Sequence, residues 1–180
     1  MSANPGGMLD VVPAAGDQLD RRYGADAWQA SELGVAAARG RGAVSFTAIG
    51  QPWLREGVKR WARQRLASGC AFNTIRSGAL AFKRFSSFLG CCQPPVQHPQ
   101  DIDRALLEGY LAWLAPLPLA ESTKALSRVF LRAFLQENRR YHWVSTISAE
   151  ATDAVSRGAV QPASHAAPLH PRVRHEPAGV

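Results

Sequence analysis

Residues 73–89 read NTIRSGALAFKRFSSFL and contain the clearest structural signal in the chain. Apolar and small side chains recur there at the three- and four-residue spacing that places them on one face of an α-helix. They are Ile75, Ala79, Phe82, Ser86 and Leu89, widened by Phe85 and Phe88. Asn73 or Thr74 is suited to cap the start of this helix, and Gly90 is suited to end it. The stretch therefore predicts a helix with one buried face. The basic side chains off that face are Arg76, Lys83 and Arg84.

Three further helices are predicted around this one. The first begins at Pro52, because proline is well tolerated at a first helical position, and ends at Ser68-Gly69. The next is capped by Asp101, and the last begins within residues 121–123, where Ser122 or Thr123 is suited to cap it, and breaks at Asn138. The side chains that the last helix is predicted to bury are Leu126, Val129, Phe130, Ala133 and Phe134. No strand pattern exceeds a few residues, so the sequence predicts an all-α fold, a compact four-helix bundle over residues 49–145.

The flanks of this region differ from it in composition. Residues 1–48 are rich in Gly and Ala, with one weak helical stretch around residues 27–38, and we expect a flexible N-terminal segment. Residues 146–180 contain four prolines and three histidines after residue 158. Each proline removes a backbone donor and disfavours helix in the residue before it. We therefore expect a disordered, Pro/His-rich tail over residues 146–180.

Positive charge is concentrated in the region that is predicted to fold. The chain of 180 residues carries 21 Lys and Arg against 14 Asp and Glu, a formal net charge of +7. Residues 51–145 hold 14 of the basic and 6 of the acidic residues, whereas residues 1–50 hold 4 and 5. A basic folded region indicates a polyanionic partner, nucleic acid first and an acidic membrane second. No stretch approaches the ~18 apolar residues of a membrane span, and we expect no membrane association.

Basic residues recur every four residues on two of the predicted helices, away from the apolar faces. They are Arg55, Lys59 and Arg63 on the first helix and Lys124, Arg128 and Arg132 on the last. Together with Arg76 and Lys83 they predict a surface that follows the phosphates of double-stranded DNA. Helix N-termini at Thr74 and Thr123 are expected to offer free backbone N–H groups to anions. The alternative interpretation is that these cations form the solvated faces of an ordinary helical domain.

The sequence offers no catalytic or metal-binding motif. Cys70, Cys91 and Cys92 show neither a CxxC pair nor a histidine at zinc-finger spacing, which favours reduced thiols in a cytoplasmic setting. Phosphate-loop, dinucleotide-binding and hydrolase motifs do not occur. The three tail histidines have no folded surroundings to support a chemical role. We expect no enzyme activity, no metal, no cofactor and no small-molecule substrate.

Five segments together give residues 49–145 a resemblance to a known family. They are QPWL (51–54) with WA (61–62), FNTI (72–75) with FSSFL (85–89), LLEGYLAWL (106–114), ESTK (121–124) with LRAFL (131–135), and YHW (141–143). In the order and spacing of these segments the region resembles the N-terminal core-binding domain of tyrosine recombinases, the phage-type integrases. This domain is also called the SAM-like integrase N-terminal domain.

The resemblance implies a fold and a role in DNA integration and recombination. In this family the domain is a four-helix bundle that forms one half of a C-shaped clamp around the recombination site, and its second and fourth helices face DNA. Carried over to this sequence, the DNA-binding residues are Thr74, Arg76, Lys83, Thr123, Lys124 and Arg128. Family members continue into a catalytic domain with a tyrosine nucleophile, whereas no tyrosine follows Tyr141 here. The resemblance therefore implies DNA binding without catalysis, with other recombinase protomers as further partners.

Two other interpretations are open at this point. The chain could be a helical protein-interaction adaptor whose basic face binds an acidic protein, or one that associates with intact recombinases. It could also be a truncated remnant that has no role.

Overall fold

The computed structural model describes residues 15–37, 42–144 and 147. Its helices are α1 (Ala15–Gly24), α2 (Pro52–Ala67), α3 (Phe72–Cys91), α4 (Arg104–Leu114) and α5 (Glu121–Tyr141), with a short 3-10 turn at Pro99–Asp101. Two three-residue strands, β1 (Ala27–Gln29) and β2 (Ala43–Ser45), pair antiparallel with Trp28 opposite Val44. The chain is mostly helical, as predicted, and α2 to α5 lie close to the four predicted helices, but the structure adds α1 and the β1–β2 pair to the predicted all-α four-helix fold. The predicted tail lies outside the described residues apart from Ile147.

α3 packs at the centre of the molecule, and the face that its periodicity predicted to be inner is buried. The predicted inner residues Ile75, Ala79, Phe82, Ser86 and Leu89 are all buried. On one side α3 contacts α2, where the rings of Trp61 and Phe82 meet edge to face at 5.4 Å. On the other side it contacts α5, where the rings of Phe82 and Phe134 lie 5.2 Å apart. Edge-to-face pairs of this kind are the favoured geometry for aromatic side chains in a core.

A glycine allows α2 and α3 to approach each other closely. A Cβ atom on Gly78 would lie 2.6 Å from Cη2 of Trp61, a distance that real Cβ atoms essentially never show. Trp61 is itself buried and contacts Phe130 of α5 on a further side, at 5.9 Å between ring centroids. The missing side chain at Gly78 therefore provides the space in which the Trp61 ring lies between three helices.

The predicted caps of α3 and α4 are wrong. α3 begins at Phe72 with Ala71 in the N-cap position and no side-chain cap, so Thr74 lies inside the first turn. α4 is capped by Asp103, whose Oδ1 accepts a hydrogen bond from the N–H of Leu106 at 2.8 Å. The predicted cap Asp101 lies instead in the preceding 3-10 turn. Neighbouring residues that are able to cap a helix fit the capping preference equally well. Which of them occupies the N-cap position depends on where the chain enters the helix.

The prediction for α5 is wrong at both ends and on its exposed side. Its N-cap is Ala120 rather than Ser122 or Thr123, and the helix continues through Asn138 to Tyr141. Leu126 and Val129, which were predicted to be buried, are 49% and 58% exposed. The buried face of α5 contains polar side chains instead. Its members are Lys124, Ser127, Phe130, Leu131, Phe134, Leu135 and Asn138.

The prediction of a flexible segment over residues 1–48 is wrong for the part that the structure describes. The weak helical stretch around residues 27–38 is instead β1 followed by a turn. Trp28 and Phe46 are buried in the same core as α2 and α3, with their rings 4.8 Å apart. The N–H of Gly50 donates to Ser86 Oγ on α3 at 2.8 Å, which fixes the chain between β2 and α2. The folded region thus includes the β1–β2 hairpin.

Candidate nucleic-acid interface

Two of the predicted DNA-binding residues on α2 hold the N-terminal segment instead. Lys59 is only 5% exposed, and its Nζ donates to the carbonyl of Gly24 at 2.7 Å, to Asp26 at 3.1 Å and to Glu56 at 2.8 Å. Arg55 donates to the other oxygen of Asp26 at 2.9 Å and to the carbonyl of Ile49 at 3.0 Å. The structure therefore brings Arg55 and Lys59 together around one carboxylate. Both side chains are engaged within the chain, so they are not free for phosphate in this structure, and their contact with DNA stays a prediction.

Asp26 is the acidic centre of this cluster. Hydrogen bonding from Lys59, supported by Arg55, holds the pKa of the Asp26 carboxyl below its usual value, although partial burial acts in the opposite direction. A lowered pKa means that the folded state favours the ionised carboxylate more than the unfolded state does. This ion pair therefore stabilises the fold at neutral pH, and the contribution disappears as the pH falls through the folded-state pKa.

We expect Asp26→Asn to lower the free energy of unfolding at pH 7 by about 1–2 kcal/mol, because Lys59 keeps two other partners and Asp26 is partly exposed. The difference between the wild type and the variant should shrink as the pH is lowered below about 4, near the unfolded-state pKa of an aspartate. Urea unfolding of the wild type and the variant at pH 7 and at pH 3 measures this difference. Asp17→Asn, which removes an exposed carboxylate without an ion pair, is the control. An equal loss of unfolding free energy for both variants at pH 7 would contradict the assignment of Asp26 as a stabilising ion-pair partner.

The cation at the start of α5 is also engaged within the chain. Lys124 is 8% exposed, and its Nζ donates to the carbonyl of Ala115 at 2.5 Å and to Glu121 at 2.9 Å. Ala115 follows α4, so the ammonium satisfies a carbonyl at a helix C-terminus, where positive charge is stabilising. The pKa of Glu121 is held below its usual value by the hydrogen bond from Lys124. Lys124 is therefore engaged in the same way as Lys59, and its contact with phosphate stays a prediction.

The backbone N–H groups expected to bind anions at Thr74 and Thr123 are occupied. The N–H of Thr74 donates to the carbonyl of Ala71 at 2.9 Å, and that of Thr123 donates to the carbonyl of Ala120 at 2.9 Å. Both residues are partly exposed in the first turns of α3 and α5. Their side chains remain on the surface, but the predicted contribution of their amides is wrong.

Four predicted residues keep unpaired side chains on the surface. Arg76 and Lys83 are partly exposed on α3, and Arg128 and Arg132 are exposed on α5. In the part of the chain that the structure describes, none of the four makes a side-chain hydrogen bond, an ion pair or a ring contact, although the charge of Arg128 adds slightly to the lowering of the pKa of Glu121. We call Arg76, Lys83, Arg128 and Arg132 the unpaired cations. They lie on two helices that pack directly against each other.

Local composition explains why these four stay unpaired. α3 contains no Asp or Glu, and the two acidic residues of α5 are paired elsewhere, Glu121 with Lys124 and Glu137 with Arg65. All five cations of α2, by contrast, have partners within the chain. These cations are Arg55, Lys59, Arg60, Arg63 and Arg65. Of the helices α2, α3 and α5, it is therefore α3 and α5 that carry cations without a partner among the described residues.

Sequence reasoning missed the acidic residues that neutralise α2. Asp26 pairs with Arg55 and Lys59, and Asp20 on α1 pairs with Arg63 at 2.6 Å. The signal that could have found them is the acidic excess of residues 1–50 next to a strongly basic region. The exposed pair Leu126 and Val129 beside the unpaired cations of α5 was also missed, because both fit an apolar helical pattern.

Three further features bear on chemistry: the buried tyrosine of α4, the cysteines and the groups that could ligate a metal. Tyr110 is buried, and burial, partly offset by Arg84 and Ser127, raises its pKa to about 12, so the phenol stays neutral at physiological pH. The three cysteines are free thiols. Within residues 15–37, 42–144 and 147, no group of three or more His, Cys, Asp or Glu could hold a metal ion. No helix in these ranges is long and apolar enough to cross a membrane.

Comparison with known proteins gives no relative for this chain. No family model, no curated protein and no solved structure matches it.

Proposed function

We propose that this chain is a DNA-binding module of the kind found in the core-binding domains of tyrosine recombinases, with α2 to α5 as its four-helix SAM-like bundle. The DNA-facing helices in this proposal are α3 and α5, the second and fourth of the four. The ligand is double-stranded DNA, and the proposed activity is binding alone. The observation that carries the proposal is the contrast between the unpaired cations of α3 and α5 and the paired cations of α2.

Unpaired cations are the ones that can neutralise phosphates. A cation engaged in an ion pair must lose its partner before it contacts DNA, whereas an unpaired surface cation exchanges only water and mobile ions. Each phosphate neutralised releases condensed counterions, and this release drives non-specific binding. The proposed contact set is therefore Arg76, Lys83, Arg128 and Arg132, with the hydroxyls of Thr74 and Thr123 as neighbouring donors. Arg55, Lys59 and Lys124 are not in it.

The dependence of binding on salt tests this function. If four phosphates are neutralised, the logarithm of the association constant should fall with the logarithm of the salt concentration with a slope of about −3.6. A mobility-shift or fluorescence-anisotropy titration of a short duplex at several salt concentrations measures the slope. A second duplex of unrelated sequence should give a similar value, because phosphate contacts carry no sequence information. An affinity that does not change with salt would overturn the proposal.

Two single-residue variants test whether the positions of the cations matter, and not only the total charge of the chain. Lys83→Ala and Arg104→Ala each remove one positive charge, but Arg104 is on α4 and is paired with Glu108 at 2.7 Å. Lys83→Ala should reduce the salt slope by about 0.9, the value for one phosphate, whereas Arg104→Ala should leave it close to that of the wild type. Equal salt slopes for the two variants would contradict the assignment of α3 as a DNA-facing helix.

A second candidate function is supported by the exposed apolar pair on α5. Leu126 and Val129 lie on the outer face of the same helix as Arg128 and Arg132. An apolar patch bordered by cations is also suited to an acidic amphipathic partner protein. A pull-down that survives nuclease treatment, and that duplex DNA does not compete, would favour this adaptor function. Loss of the captured protein on nuclease treatment would favour DNA.

A further inference from the structure

A cleft of about 190 Å³ lies between α1 and α2. Its charged and aromatic lining comes from Asp20 and Tyr23 on α1 and from Glu56, Lys59, Arg60 and Arg63 on α2. Glu56 and Lys59 are paired with each other, and Arg60 donates to the carbonyl of Trp143 at 2.9 Å. Arg63 is the cation whose main partner comes from α1. The cleft is thus the place where α1 covers the basic surface of α2.

The Asp20 carboxylate contacts Arg63 in the same way as a DNA phosphate would. Asp20 Oδ1 accepts from the guanidinium of Arg63 at 2.6 Å, and the guanidinium lies 4.8 Å from the centre of the Tyr23 ring. Phosphate and carboxylate oxygens use the same charge-assisted geometry on arginine. The side chains of Arg63 and Asp20 are 51% and 63% exposed, so water and salt screen the pair. A dense array of phosphates can therefore compete with a single carboxylate for this arginine.

The N-terminal part of α1 is weakly attached. α1 has ten residues, and of residues 16–24 only Tyr23 is even partly buried. Helices of this length are marginal in water without tertiary contacts. The C-terminal end is better held, because Lys59 donates to the carbonyl of Gly24 and Arg22 donates to the carbonyl of Glu32. The first turns of α1 can therefore open while the end next to β1 stays in place.

We propose that residues 16–21 of α1 are a displaceable cover on Arg63, and that the phosphates of bound DNA displace Asp20 and take its place on the guanidinium. This inference rests on the function proposed above. Arg63 is then a further phosphate contact that becomes available only when α1 opens. Because the cover must open before Arg63 contacts phosphate, DNA binding is weaker than the total positive charge of the chain implies.

Matched variants of the full chain test the cover. Asp20→Asn removes the ion pair, and Asp17→Asn removes the same charge from an exposed position of the same helix that makes no ion pair. At low salt, Asp20→Asn should raise the affinity for a short duplex about threefold relative to Asp17→Asn, which is in the range for an exposed ion pair. Adding Arg63→Ala to Asp20→Asn should abolish the gain.

Hydrogen–deuterium exchange gives a second readout. The amides of residues 19–22 should exchange faster when duplex DNA is bound, because their helical hydrogen bonds are lost when the cover opens. Binding by the wild type with no difference between the two Asp variants, or with unchanged exchange in α1, would overturn the cover and leave the DNA-binding function in place. Absence of duplex binding by every variant would overturn both.

Discussion

Replacing Trp28 with alanine is expected to lower the free energy of unfolding of the whole folded region by about 3–5 kcal/mol, the range for removal of a buried large aromatic side chain. Trp28 is 1% exposed and packs edge to face on Tyr23 and Phe46, with ring centroids at 5.1 Å and 4.8 Å. Its indole N–H donates to the carbonyl of Ala25 at 2.9 Å. The substitution therefore leaves a cavity and an unpaired carbonyl at the junction of α1 and the hairpin.

Urea unfolding followed by the helical circular dichroism signal measures this loss. Because most of that signal comes from α2 to α5, a shift of its midpoint shows that the hairpin unfolds together with the helices. Leu126→Ala is the control, since Leu126 is exposed on α5 and its loss should change the free energy of unfolding by at most about 0.5 kcal/mol. If the hairpin were an appendage, Trp28→Ala would leave the midpoint unchanged.

The sequence could not predict the hairpin because its strands are too short for a pattern. Each strand has three residues, so the two-residue alternation that reveals a strand occurs barely once. Trp28 and its partner Val44 lie 16 positions apart in the sequence. The segment is also held by side chains on other elements, such as Ser86 and Lys59, and no local rule identifies those partners.

α3 and α5 show where apolar periodicity succeeds and where it fails. α3 buries only apolar and small side chains on its inner face, so its inner face could be read from the sequence. α5 buries Lys124, Ser127 and Asn138, and each finds polar partners inside the molecule. Asn138, for example, exchanges two hydrogen bonds with the backbone of Val144, at 2.7 and 3.0 Å. A buried polar residue is tolerated once it is satisfied, and the sequence alone does not show the satisfying group.

The sequence located the basic side chains of the proposed site, but it could not show which of them have partners within the chain. The four-residue spacing of Arg55 and Lys59 on α2 is the same as that of Arg128 and Arg132 on α5. Spacing places the members of each pair on one side of a helix, but it does not reveal whether a carboxylate from elsewhere in the chain lies against them. Asp26 reaches α2, and no described carboxylate pairs with Arg128 or Arg132 through a hydrogen bond.

Replacing all four unpaired cations, Arg76, Lys83, Arg128 and Arg132, with alanine is expected to remove most of the salt dependence of DNA binding. Four phosphate contacts with a slope of about 0.9 each imply that the wild type loses about 150-fold in affinity between 50 and 200 mM salt. The fourfold variant should start from a much lower affinity and change little over the same range. Because these contacts carry no sequence information, the loss should be similar for unrelated duplexes.

The variant with Arg76, Arg128 and Arg132 replaced by lysine, and Lys83 retained, is the matched control. It keeps four positive charges at the same positions, and counterion release depends on charge rather than on the shape of the guanidinium, so its salt slope should match that of the wild type. Circular dichroism and the urea midpoint of each variant show whether the fold is intact. A fourfold alanine variant that stays folded and keeps the wild-type slope would show that DNA is bound through other cations. The difference between the two variants therefore separates loss of charge at these positions from loss of the arginine side chains themselves.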